Sequence, residues 1–351
     1  MSRDDSVSMA KGFAILLMVL AHSEFSHYGD TYINMFHMPL FFFMSGYCFK
    51  EAYLDDFLNF AKRRIKGAYW PFVKWCLLFL ILHNVFYSLN IYNGEYGYHG
   101  EVSQVYALKD FLRHGLAIVG CLGGNEQLLG GYWFLHSYFF AAFISFGTIF
   151  LFRNHISYVA AGACALLALS VMMAGFDIEI PHYIGAREVL ASSFMVTGFA
   201  YRQAGWHLEE KAAVIIPLGA VIVAAGACYW PCGMLTFTWQ KTVPYYLSAL
   251  AGTIMVFSLC KFLDKSKPVR KVMTYIGDRT LDILTWHLLS FKAVSLIIIS
   301  AYGITITRLA EFPVIEEYTS KGWWILYFIV GVLMSLLIER LLSGLKHSLQ
   351  K

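Results

Sequence analysis

Charged side chains are scarce in this sequence. Asp, Glu, Lys and Arg make up 14% of its 351 residues, where a soluble domain carries roughly 25%. With that shortage come 58% hydrophobic residues, a mean hydropathy of +0.57 and repeated long apolar runs. Together these exclude a soluble globular domain and place the chain among polytopic membrane proteins. No stripe of basic and aromatic residues of the nucleic-acid-binding kind stands out, so no nucleic-acid partner is expected. The seven cysteines show no C-x-x-C or other metal spacing, and no metal is expected from them. Cys228 and Cys232 stand one helical turn apart and can pair if oxidised, although a buried structural role is the stronger reading. There is no internal repeat and no low-complexity tract, so residues 1–351 read as a single membrane domain.

What is present is a succession of apolar stretches. About ten transmembrane helices can be drawn, near 8–25, 33–51, 70–90, 132–152, 156–175, 187–203, 212–230, 243–262, 276–301 and 322–343. The first imitates a signal peptide, with Ala21-His22-Ser23 faintly resembling a cleavage site. The further spans behind it argue for a retained helix. Most of the 27 Lys and Arg fall on one side of this arrangement. Lys109, Arg113, Arg187, Lys241, Arg308 and Lys321 fall on the other, and Lys292 lies within a span. The positive-inside rule then puts both termini in the cytoplasm. The resulting expectation is an all-α polytopic protein of the inner (cytoplasmic) membrane. In the longest outer connection, about 91–131, Val105, Leu108, Phe111 and Leu112 share one face of a helix running from Gln104 to Gly115. That pattern predicts a helix lying in the outer interface.

The first span carries the most unusual pairing. Lys11 and His22 are eleven positions apart, which returns to nearly the same azimuth on a helix, with an axial rise of roughly 16 Å. That distance is about half the hydrocarbon thickness of a bilayer. An ionisable group at such depth is costly and is by default a functional residue, although a packed histidine with one hydrogen bond is the plainer reading. Ser23 and Glu24 follow at once and can orient or charge-balance the imidazole. His287, in the span with Asp282, Trp286 and Lys292, reaches a similar depth. His37 lies near the outer end of the second span, just before Pro39, and Ser45-Gly46 offers a smooth patch for close approach. Lys62, Arg63, Arg64 and Lys66 form a cytoplasmic basic cluster. It reads equally as a topology determinant meeting anionic lipid and as the entrance for a polyanionic cofactor. On the outer side, Asn125 and Glu126 can touch a ligand. Trp133 fits an aromatic belt anchor.

In their order, these stretches resemble the acyltransferase-3 family of integral membrane O-acyltransferases, especially its fucose-4-O-acetylase-like branch. The resemblance rests on Lys11-Gly12 with His22, on His37-Met-Pro39 running into Phe42-Phe43-Met44-Ser45-Gly46-Tyr47, and on Lys62-Arg63-Arg64-Ile-Lys66 leading to Pro71. Trp133-Phe134-Leu135 and Ile276-Gly277-Asp278-Arg279-Thr280-Leu281-Asp282 with His287 extend it over nearly the whole chain. It implies transfer of an acyl group, usually acetyl, from cytoplasmic acyl-CoA to a hydroxyl of a sugar, glycan or lipid-linked glycan across the membrane. His22 matches the family's essential histidine. Lys11 stands where many members have arginine, and Ser8 where many have an acid, with Asp4 or Asp5 as substitutes. Under this resemblance Lys11, Lys62, Arg63, Arg64 and Lys66 hold the phosphates of acetyl-CoA. His22 acts as general base, or as nucleophile through an acyl-histidine. Glu24, His37, Ser45, Asn125, Glu126, Trp133 and His287 support the base or meet the acceptor. Two rival readings come from the residues alone. One is a proton-coupled transporter with His22, His37 and His287 as relay, against which no inverted repeat is visible. The other is a non-catalytic scaffold, which leaves the intramembrane histidines without a role.

Overall fold

The computed structural model describes residues 4–96, 102 and 104–349, with side chains to residue 344. The protein is 79% helical, and the described residues contain no strand. The helices are α1 (Asp5–His22), α2 (His27–Asn34), α3 (His37–Tyr47), α4 (Phe57–Arg64), α5 (Trp70–Ser88), α6 (Leu108–Cys121) and α7 (Trp133–Phe152). They continue as α8 (Ile156–Gly175), α9 (Ala186–Gln203), α10 (Ala212–Tyr229), α11 (Trp239–Leu263), α12 (Lys267–Gly277), α13 (Thr280–Tyr302) and α14 (Trp324–Leu349).

Among the described residues, 8 helical segments are long and apolar enough to cross a membrane. Two of the expected spans fall short of that measure, for different reasons. The stretch 33–51 breaks at Met35-Phe36, which leaves α3 at 11 residues. Helix α9 keeps 18 residues, but Arg187, Glu188, Ser192, Ser193, Thr197, Arg202 and Gln203 lower its hydropathy. Its hydroxyls nonetheless face protein. Ser193 Oγ donates to Ala163 O at 2.8 Å, Ser192 Oγ to Glu188 O at 2.8 Å, and Thr197 Oγ1 lies 2.6 Å from Tyr246 Oη.

The chain divides into two compact units, each assembled from separate stretches. The first comprises the chain up to Leu17, Thr31–Trp70 and Phe134–Asp278. Two helix crossings made by glycine organise it. A Cβ on Gly46 of α3 would stand 1.7 Å from Met195 O of α9, and one on Gly198 would stand 2.0 Å from Phe43 O. Between α1 and α12 the same reciprocity recurs, with Gly12 against Met273 O at 2.5 Å and Gly277 against Ser8 O at 1.8 Å. Only a residue without a side chain lets the backbones meet this closely, and in lipid such contact is what binds helices together. At the start of α1, Lys261 Nζ lies 3.0 Å from Asp4 Oδ2, and Arg270 Nε lies 3.9 Å from Asp5 Oδ2.

The second unit comprises Met18–Asp30, Pro71–Trp133 and the chain from Arg279 onward. Helix α13 is its axis and the most enclosed of the candidate spans. Thr285 Oγ1 lies 2.7 Å from Tyr132 Oη, Ser295 Oγ lies 2.9 Å from Tyr327 Oη of α14, and Gly331 of α14 packs on Phe291 and Val19. Helix α6 exposes Leu108, Leu112, Leu116 and Val119 while burying His114 and Ile118, the division expected of a helix lying in an interface. It begins four residues later than the pattern from Gln104 predicted, because the Asp110 carboxylate accepts from Ala107 N–H at 3.0 Å and fixes the start there.

Candidate active site

Two histidines meet in the second unit. His22 is the last residue of α1, and its Nδ1 lies 2.9 Å from His287 Nε2, with the rings stacked at 5.1 Å between centroids and 21° between planes. His287 is fully buried on α13, and its Nδ1 lies 3.0 Å from both Ile283 O and Leu284 O. Carbonyl oxygens only accept, so His287 Nδ1 carries a hydrogen and donates it. In neutral imidazole the other nitrogen is then an acceptor. His287 Nε2 therefore accepts from His22 Nδ1–H, and this leaves the lone pair of His22 on Nε2. Two backbone carbonyls thus set the tautomer of one histidine, and through it that of the next. The result is a partly buried imidazole whose Nε2 carries the lone pair and whose Nδ1 is held by a fixed partner.

Past His22 the chain turns sharply at Glu24, which adopts φ 52°, and enters α2. Burial, then the carboxylates of Glu316 and Glu311, push Glu24 up to about 6. Burial, then Glu24, push Asp30 up to about 7. The buried Asp30 Oδ1 has no hydrogen-bond partner. Glu311 is itself tied down, since its Oε2 accepts from Arg308 Nε at 3.0 Å and its backbone oxygen accepts from Lys292 Nζ at 2.7 Å.

Other expected residues are placed as follows. Lys11 sits partly buried on α1 in the first unit. In the basic cluster, Lys62, Arg63 and Lys66 are exposed, whereas Arg64 turns inward. The Arg64 guanidinium lies 5.0 Å over the Phe60 ring and donates to Tyr138 Oη, which also accepts from Ser45 Oγ at 3.2 Å. Arg64 and Ser45 thus share one tyrosine that the sequence did not single out. His37 Nδ1 donates to Ile33 O at 2.9 Å, anchoring the first turn of α3. Asn125 donates to Leu129 O at 3.0 Å, and Trp133 opens α7.

Glu126, expected to meet the acceptor or support the base, is buried, and its Oε2 lies 2.9 Å from His83 Nδ1. His83 Nε2 donates to Gln104 O at 3.0 Å. The His83 ring stacks on Tyr106 at 3.4 Å and 4°, and Tyr106 stacks in turn on His114 of α6 at 4.9 Å. This is a strap tying the long connection to α5. It was not legible beforehand, because a histidine near the end of a span has no periodic signature. A second unanticipated cluster lies in the first unit around the buried Glu188 carboxylate. It accepts from Ser137 Oγ at 2.6 Å, Arg187 Nε at 2.8 Å and Gly185 N at 2.9 Å, with His136 Nδ1 at 3.4 Å. Its oxygens are fully engaged, so it reads as a clamp between α7 and α9. The first unit also holds a cavity of about 760 Å³ between α8, α9, α10 and α11. Residues such as Ala160, Ala163, Leu218 and Ile254 line it, with no histidine or carboxylate among them.

Compared with protein-family models, residues 4–344 match the acyltransferase-3 model, described as an acyltransferase domain. No curated protein and no solved structure gives a significant match. The match covers both histidines, both units and all the candidate spans, and it makes the protein a membrane acyltransferase in place of a transporter or scaffold.

Proposed function

Because the chain belongs to the acyltransferase-3 family, we propose that it transfers an acetyl group from cytoplasmic acetyl-CoA to a hydroxyl of a sugar, glycan or lipid-linked glycan at the opposite face of the inner membrane. His22 is the general base in this reading. The supporting observation is the histidine pair, in which His287 Nε2 receives His22 Nδ1–H and leaves the lone pair of His22 on Nε2. His22 Nε2 takes the acceptor's hydroxyl proton as its oxygen attacks the thioester carbonyl. The imidazolium that forms keeps its Nδ1–H on His287 Nε2, the service that a carboxylate renders in a serine-protease triad.

Lys11 and the exposed Lys62, Arg63 and Lys66 supply charge for the CoA phosphates. Arg64 steadies the cluster from its aromatic seat. The eleven positions between Lys11 and His22 correspond to roughly 16 Å of helical rise, a length that suits the arm between the CoA phosphates and the thioester. Glu24 and Asp30, which follow His22, offer carboxyl groups to acceptor hydroxyls. With the protein present, mass spectrometry of envelope glycans will show species heavier by one acetyl group. Those species vanish in the deletion and in His22→Ala. A folded His22→Ala protein that restores them at the wild-type rate rules out the base assignment.

A further inference from the structure

On α13, the turn that carries His287 also carries two buried hydrogen-bond donors with no acceptor. Trp286 is 7% exposed and Ser290 0%, and neither Trp286 Nε1 nor Ser290 Oγ has a hydrogen-bond partner. The positions 286 and 290 are i and i+4, and 287 and 290 are i and i+3, so Ser290 neighbours both on the helix surface. Cα–Cβ bonds tilt toward a helix N-terminus, which leans Ser290 back over the turn holding Trp286 and His287.

Ser290 had an easy alternative. Thr285 Oγ1 donates to Leu281 O at 2.7 Å and Ser335 Oγ to Gly331 O at 2.6 Å, the usual way for a hydroxyl inside an apolar helix to be satisfied. Ser290 does not take it. The Trp286 indole is wedged against Trp75 and Phe79 of α5, with ring centroids 5.0 and 5.7 Å away, so its N–H is held in place by packing. Burying a donor without an acceptor is a cost that folding does not recover.

We propose that Trp286 Nε1–H and Ser290 Oγ–H form the oxyanion hole of the acyl transfer, which rests on the reading of His22 as base. An indole N–H can only donate, so what this pair awaits is an acceptor atom. In the reaction, the acceptor hydroxyl commits its proton to His22 Nε2 and a lone pair to the acyl carbon. The oxygen left to receive two donors is that of the thioester carbonyl. As the new O–C bond forms, negative charge collects there. As the tetrahedral species collapses, the oxyanion's electron pair re-forms the C=O bond, the C–S pair leaves with sulfur, and the CoA thiolate takes the proton held by His22. The products are the ester and free CoA. Preorganised donors on the helical turn of His287, the partner of His22, stabilise that charge without reorganising at the moment of reaction.

The test uses membrane vesicles of the native cell, given acetyl-CoA at the cytoplasmic face, with release of free CoA thiol followed over time. Trp286→Phe and Ser290→Ala each lower kcat by about 10- to 1,000-fold. KM for acetyl-CoA stays within about threefold, since uniform binding is untouched. Ser290→Thr, which keeps a hydroxyl, recovers most of the rate. Thermal unfolding of Ser290→Ala occurs at the wild-type temperature or above it. Wild-type kcat in Trp286→Phe and Ser290→Ala, with CoA release still abolished by His22→Ala, overturns the oxyanion hole and leaves the base standing. No His22-dependent release from wild-type vesicles overturns both.

Discussion

His22 and His287 share one hydrogen bond, and under the proposed mechanism the value of His287 lies in what it accepts. Replacing His287 by Ala frees the His22 ring to rotate and to exchange tautomers. The expected result is a loss of about 10²–10⁴ in kcat. His287→Gln, whose amide oxygen can accept the same Nδ1–H, recovers part of that loss, whereas a purely space-filling role predicts no advantage of Gln over Leu. Steady-state acetyl transfer by the three variants separates the two. The sequence marked both histidines, because an ionisable side chain inside an apolar run is conspicuous whatever the fold. Their meeting was not legible, since 265 residues separate them and no pattern encodes which spans adjoin. Ser290 was less visible still. Many spans here carry serine, and only the lack of a partner sets this one apart. The ion pair of Glu126 with His83 was equally illegible, since nothing in a glycine-rich connection says which span its carboxylate meets.

At the level of helices, the glycine crossings define what the first unit tolerates. Gly46→Ala places a methyl on the Met195 carbonyl of α9, which must give way. Overpacking of this kind costs about 1–3 kcal/mol, and Gly46→Leu should prevent stable accumulation altogether. Thermal unfolding in detergent and the yield of folded protein measure the two effects, and Gly67→Ala, where nothing lies within 4 Å, serves as the neutral comparison. Hydropathy and charge located the long helices well, since those quantities set the cost of a bilayer span. They did less well with α3 and α9, where enclosure by protein replaces enclosure by lipid. The boundary of α6 shifted because a single side chain, Asp110, decides where its first turn closes.

Across the whole molecule, stability carries a pH dependence whose sign follows from Glu24 and Asp30. Their ordinary values are 4.5 and 3.8, and the fold raises them to about 6 and about 7. The folded state therefore holds more protons than the unfolded state between these limits, and stability falls as pH rises from about 4 to about 7. Below that window the two states are equally protonated and the trend flattens. Both groups are about half buried, so solvent screening tempers the effect. Asp30→Asn should remove most of the slope, as read by melting temperature against pH.

The alternation of the chain between two units has a consequence in time. Gly12 waits for Gly277 to lock α1 in place, and His22 waits for His287 before its tautomer is set. A ribosome adding about 5–20 residues per second needs on the order of tens of seconds to cover that stretch. Until then the first helix stands in the translocation machinery or the bilayer without its permanent neighbours. A nascent chain stopped between α1 and α13 thus carries His22 without the partner that receives its Nδ1–H.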